Sequence, residues 1–163
     1  MQCLESLRDE PVSVHQVAGR VDDIGNARAD AFKLGNSEYV SFVDPDDYVL
    51  QGGFEACYQQ LEAHPEAAAT YTFEYTAGIA GTYARHQQPH AWAHHLVVFR
   101  RTAIEEHESL LRSWTWPAPQ SEIQLVVEVL KQQDKVIEIP KPYYVWRRHI
   151  GSFITKKKLG RTI

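Results

Sequence analysis

Apolar residues run along this chain in short bursts whose spacing changes from one burst to the next. Residues 3–8, Cys-Leu-Glu-Ser-Leu-Arg, read as a short helix. Beyond Pro11, the spaced Val12, Val14 and Val17 predict a strand over 12–17. Asp22 to Leu34 carries Ala27, Ala29, Ala31, Phe32 and Leu34, which is helix material, and Gly35 follows where a helix end favours glycine. Tyr39-Val-Ser-Phe-Val43 predicts a buried strand that runs directly into Asp44-Pro45-Asp46-Asp47.

The second half mixes both periods. Phe54, Cys57, Tyr58 and Leu61 mark the buried stripe of a helix over 53–63 that stops before Pro65. Ala68 to Tyr75 predicts a strand with Tyr71, Phe73 and Tyr75 on one face. Residues 76–93, with glycines, a proline and several histidines, predict a loop or hairpin, and Leu96–Phe99 a further strand. Thr102 with Glu105, and Ser121 with Gln124, have the spacing of capping boxes opening helices to about Trp114 and through Leu130. Val136–Ile139 and Tyr143–Trp146 read as a closing pair of short strands separated by prolines. Strands and helices that alternate early and mix later predict an α/β fold on a single mixed sheet with partly antiparallel edges.

Composition narrows the class. At 163 residues, without a repeat or linker, the chain is expected to form one domain over 1–163, with a basic tail from about residue 154. No apolar run approaches the ~18 residues of a membrane helix, and the N-terminus lacks the basic and apolar regions of a secretory signal. With two cysteines, Cys3 and Cys57, no disulfide framework is expected, so the expected location is cytoplasmic. A net charge of −4 argues against general nucleic-acid binding. The exception is the run of Lys156, Lys157, Lys158 and Arg161, which suits either a phosphate or plain solvent.

The chemistry concentrates at Asp44-Pro45-Asp46-Asp47. Acidic groups at the carboxyl end of a buried strand stand where open α/β sheets bind ligands. Asp44 and Asp46 are two apart, so in extended backbone both carboxylates leave one face and favour a hard divalent ion between them. Taken alone, the same residues equally make a Pro-Asp turn with Asp47 capping the next helix. His86, His90 and His94 have the four-residue spacing of a zinc face, but Pro89 interrupts that helix. The spacing is therefore accidental as a ligand set, and Trp92, Trp114 and Trp116 suit core or interface positions as easily as stacking on a ligand.

Residues 24–50, from Ile24-Gly25-Asn26-Ala27-Arg28 through Tyr39-Val40 to Asp44-Pro45-Asp46-Asp47, resemble family 2 glycosyltransferases of the GT-A fold. Tyr143-Tyr-Val-Trp-Arg147-Arg148-His149-Ile-Gly-Ser152 is similar to that family's last segment. The resemblance implies a metal-dependent transferase that moves a sugar from a nucleotide-sugar donor, with a UDP-sugar favoured, to an unknown acceptor, with inversion. It implies Mn2+ or Mg2+ on Asp44, Asp46 and His149, and a donor held by Arg28, Asp47, Arg147 and Arg148. It further implies Glu122 as the general base, where the family more usually shows an acidic pair.

The chain departs from the family at its start. It opens on what resembles the first helix, without the usual first strand, and the aspartate that binds the base has no clear counterpart, Asp22 or Asp23 being substitutes. Either the fold is a natural minimal version, or the exposed sheet edge is covered by a second copy in a homodimer. These departures keep a second reading open, a non-catalytic adaptor of the same fold that binds a nucleotide or glycan without turnover. A nucleotidyltransferase ranks lower because no glycine-rich phosphate loop is present.

Overall fold

The computed structural model describes residues 2–19, 23–78, 81–85, 96–109 and 136–147. The elements, in order, are α1 (Gln2–Ser6), α2 (Ile24–Phe32), β1 (Tyr39–Val40), β2 (Tyr48–Val49) and α3 (Gly53–Ala63). They continue with β3 (Ala69–Gly78), β4 (Gly81–Arg85), β5 (Val97–Arg100), α4 (Arg101–Glu105) and β6 (Val136–Arg147). One sheet joins all six strands in the order β1-β5-β3-β6-β2, with β4 beside the second half of β3. β3 and β6 pair in parallel, and the other described pairings are antiparallel. The mixed α/β sheet is as expected, but antiparallel pairing reaches its centre and is not confined to the edges.

Alternation along β5 builds a core on both faces. Val97 and Phe99 join Ala29 and Phe32 of α2, Tyr71, and Ala103 and Ile104 of α4. Val98, with Leu96 just before the strand, turns the other way and packs with Cys3 and Leu7, with Phe54, Cys57 and Leu61 of α3, and with Tyr144. This is period-two burial between two helical layers.

Arg100 ties these layers together. Its guanidinium donates to the carbonyls of Ala67, Leu61 and His64 and to Glu38 Oε1, and lies 5.3 Å from the Tyr39 ring centroid. It thereby satisfies carbonyls at the C-terminal end of α3 that have no partner within the helix.

Several local expectations change. Residues 12–17 form no strand: Val14 and Val17 are exposed, Val12 packs on the core, and no described strand pairs with them. A valine pattern without a neighbouring ladder leaves its backbone to water. α2 ends at Phe32 with Lys33 in the right-handed region, and Gly35 is not left-handed; Gly52, at φ 81°, is. The strand expected over 39–43 is ordered as β for two residues only, because Ser41 turns its hydroxyl to the Val97 carbonyl at 2.7 Å. Tyr58 is exposed on α3, outside the stripe of Phe54, Cys57 and Leu61.

On β3 the face of Thr70, Thr72, Glu74 and Thr76 is buried more deeply than the face of Phe73 and Tyr75. The box at Thr102 does not form: α4 begins at Arg101, its cap is Arg100, and no side chain closes it. The two closing strands are one, β6, since two register shifts beside Phe73 absorb Pro140 and Pro142, which have no N–H to give to the ladder. α4 ends at Glu105, while the end of the helix expected to about Trp114, the helix expected from Ser121 through Leu130, the histidine set and the basic tail lie outside the described residues.

Candidate metal centre

The acidic loop sits between β1 and β2, where β2 meets the end of β6. Asp47 N–H donates to the Asp44 carbonyl at 3.1 Å, which closes a four-residue turn with Pro45 at its second position. Proline's fixed φ suits that position. Asp44 and Asp46 therefore converge, together with Asp47, through a turn and not through extended backbone. Ligand atoms of Asp44, Asp46 and Asp47 lie within 4.8 Å of one another.

Each carboxylate has a different environment. Asp47 is 1% exposed, accepts from Tyr144 Oη at 2.7 Å and from the Arg147 backbone N–H at 2.7 Å, and so fastens the loop to β6. It does not cap α3. Burial first, and the nearby Asp44 and Asp47 after it, hold the Tyr144 hydroxyl well above its ordinary range, so it stays a proton donor to Asp47. Asp44 pairs with Arg28 of α2, Nη2 to Oδ1 at 2.8 Å. The Arg28 side chain is only 11% exposed, and its guanidinium carbon lies 5.7 Å from the Phe42 ring centroid. Asp46 is half-buried, and its backbone carbonyl accepts from Arg147 Nε.

Arg147 is the loop's second clamp. Besides Asp46 and Asp47 it reaches Gln2 Oε1 at 2.5 Å, and its guanidinium carbon stands 6.0 Å from the Tyr48 ring centroid. Cys3 of α1 is buried beside the same loop. Its thiol is pushed up by burial and then by Asp47 and Asp44, which makes it a packing residue and not a nucleophile.

The donor set fits a hard divalent cation. Three carboxylates supply oxygen, the chemistry that Mg2+ and Mn2+ prefer, and an oxygen already accepting one hydrogen bond retains a lone pair. Ligands about 2.1 Å from an ion stand at most about 4.2 Å apart, so a separation within 4.8 Å closes onto an ion with a contraction of at most about 0.6 Å.

Of the residues expected at the site, the fold brings together Asp44, Asp46, Asp47, Arg28 and Arg147. Glu122, Arg148 and His149 lie outside the described residues. Asp23, a substitute for the base-binding aspartate, is the cap of α2 and accepts from Asn26 N at 3.3 Å and Nδ2 at 2.9 Å; Asp22 lies outside the described residues.

Tyr144 and Gln2 were not anticipated. The two-residue alternation of Tyr144 and Trp146 was the available signal for the tyrosine, and none marked Gln2. Glu10 was missed as well. It is buried and takes the N–H groups of Gly52 and Phe54, at 2.5 and 2.9 Å, at the start of α3.

A family model described as Glycosyl transferase family 2 matches residues 2–118. Among solved structures, the chain is similar to that of S. aureus TarS 1-349, at a TM-score of 0.62 and 15% identity over 88% of this chain and 46% of that one. It is also similar to S. aureus TarS 1-349 in complex with UDP-GlcNAc, at a TM-score of 0.66 and 15% identity over 93% of this chain and 47% of that one. At this identity the likeness concerns the fold, a mixed GT-A sheet, and the chain spans about half the length of those structures. No curated protein matches the chain.

Proposed function

The chain belongs to glycosyl transferase family 2, and on that premise we propose that it binds a nucleotide-sugar, a UDP-sugar before others, and transfers the sugar with inversion. The observation that carries this reading is the convergence of Asp44, Asp46 and Asp47 on one turn, with two arginines against it. The TarS structure with UDP-GlcNAc supports the choice of donor, since it shares the fold around the equivalent half of the molecule.

The roles follow from the environments. Asp44 and Asp46 hold Mn2+ or Mg2+, and His149 completes the set. Asp47, whose two oxygens accept from Tyr144 and the Arg147 N–H, holds the loop in shape. A bound divalent cation supplies counter-charge for the donor diphosphate, whose negative charge grows as the glycosidic bond breaks. Arg28 and Arg148 add cationic donors for the diphosphate, while Arg147 keeps the loop in register with β6. Glu122 takes the proton of the acceptor hydroxyl as it attacks the anomeric carbon from the face opposite the diphosphate. The chain acts as one domain.

Turnover tests this directly. UDP release from UDP-GlcNAc with Mn2+ is expected for the wild type, to fall by at least about a hundredfold in Glu122→Gln, and to vanish in Asp46→Ala. Donor binding with no UDP release in any condition would favour the adaptor. That second reading has its own support in the Arg28–Asp44 pair, which already occupies one prospective ligand.

A further inference from the structure

We infer that Arg28 is a resident counter-cation for the acidic turn, one that a divalent ion displaces and that then passes to the donor's diphosphate. The inference rests on the proposed metal site and adds to it an exchange. Three carboxylates within 4.8 Å of one another repel in the absence of a cation. The turn nevertheless keeps its shape, because Arg28 meets Asp44 at 2.8 Å and Tyr144 and Arg147 engage Asp47. Those last two contacts come from β6 and lock a buried group. The Arg28 contact is of another kind. It comes from a long side chain on a separate helix, and it falls on a carboxylate that is 33% exposed at the mouth of the turn.

An ion entering between Asp44 and Asp46 competes with Arg28 for the same carboxylate and repels its guanidinium. The displaced side chain does not drift into solvent. Its side chain is 11% exposed, and its head lies against the Phe42 ring, 5.7 Å from the centroid. A short rotation leaves it beside the turn, where a diphosphate bound to the ion presents the strongest available anion. Planar guanidinium groups bind phosphate in a two-pronged manner, so the same residue opposes the bare ion and favours the ion with its nucleotide.

That change of sign is the test. Mn2+ binding is measured by electron paramagnetic resonance of the free ion, with and without UDP, on wild type, Arg28→Gln, Arg28→Lys and Asp46→Ala. Arg28→Gln is expected to bind Mn2+ alone on the order of tenfold more tightly, and Mn2+ with UDP on the order of tenfold more weakly. Arg28→Lys keeps the charge without the two-pronged geometry, so it should match wild type for the bare ion and lose affinity only with UDP. It also serves if Arg28→Gln does not fold. Arg28→Gln that weakens both, or changes neither, overturns the exchange while leaving the metal site intact. Wild type that binds no Mn2+, or binds it undiminished in Asp46→Ala, overturns the metal site and the exchange with it.

Discussion

Neighbouring aspartates in this turn do opposite work, and burial separates them. Asp47 is enclosed and accepts two hydrogen bonds of 2.7 Å, whereas Asp46 is half-buried and contributes to the turn through its backbone carbonyl. Removing Asp47 leaves the Tyr144 hydroxyl and the Arg147 N–H without their acceptor. Asp47→Ala should therefore lower unfolding free energy in urea by about 2–4 kcal/mol. Asp46→Ala should stay within about 0.5–1 kcal/mol of wild type while abolishing the response to Mn2+. Equal losses in both variants would show that the turn is one structural unit without division of labour.

The sequence made the acidic turn visible because its residue types are unusual together. It hid the partners, Tyr144 and Gln2, because contact between residues 97 and 145 positions apart leaves no local mark. Burial also sets an alkaline limit. It pushes the Cys57 thiol from 9.0 up to about 11, and Tyr39 from 10.0 up to about 12. The fold favours the protonated form of each, so their contribution is complete below the ordinary value and is lost as pH rises through the raised one. The urea midpoint should fall between pH 9 and 11, and less so in Cys57→Ala.

Elements were legible where a periodic stripe met a packed neighbour. α3 is the clear case, with Phe54, Cys57 and Leu61 buried as the spacing required. Its bounds, 53–63, were legible as well, but its cap was not, since Gly52 offers no side chain and the acceptor is Glu10, 42 residues before it in the chain. A carboxylate on those N–H groups also opposes the positive end of the helix dipole. Glu10→Ala should cost about 1–3 kcal/mol of stability by urea titration, with Mn2+ binding unchanged. Gly53 packs so closely that an added Cβ would come within 3.0 Å of Tyr143 Cβ and Val49 Cγ1. Gly53→Ala should destabilise by about 1–3 kcal/mol, and a neutral result would mean that β6 and β2 yield there.

β6 failed as a prediction for the opposite reason. Pro140 and Pro142 read as a break, but two register shifts in the ladder to its parallel neighbour β3 let the strand pass through them. The valines of 12–17 failed because periodicity states what a strand would bury, not whether a partner strand is there to pair with it.

At the scale of the molecule, the sheet brings distant segments to one place. α2 supplies Arg28, the loop after β1 supplies the aspartates, and the end of β6 supplies Arg147. Fold class followed from the order of elements, and the parallel β3–β6 pair at the centre of an otherwise antiparallel set could not follow, because order does not fix strand direction across long connections. Among the described residues no helix is long and apolar enough to cross a membrane. The donor site is the claim on which the functional account depends. Isothermal titration of UDP and of GDP, with and without Mn2+, on wild type and Asp46→Ala tests it most directly. The account predicts that UDP binds in the presence of Mn2+, in preference to GDP, and that Asp46→Ala abolishes that binding without unfolding the chain. UDP binding that ignores both the metal and the mutation, or no nucleotide binding at all, would contradict it.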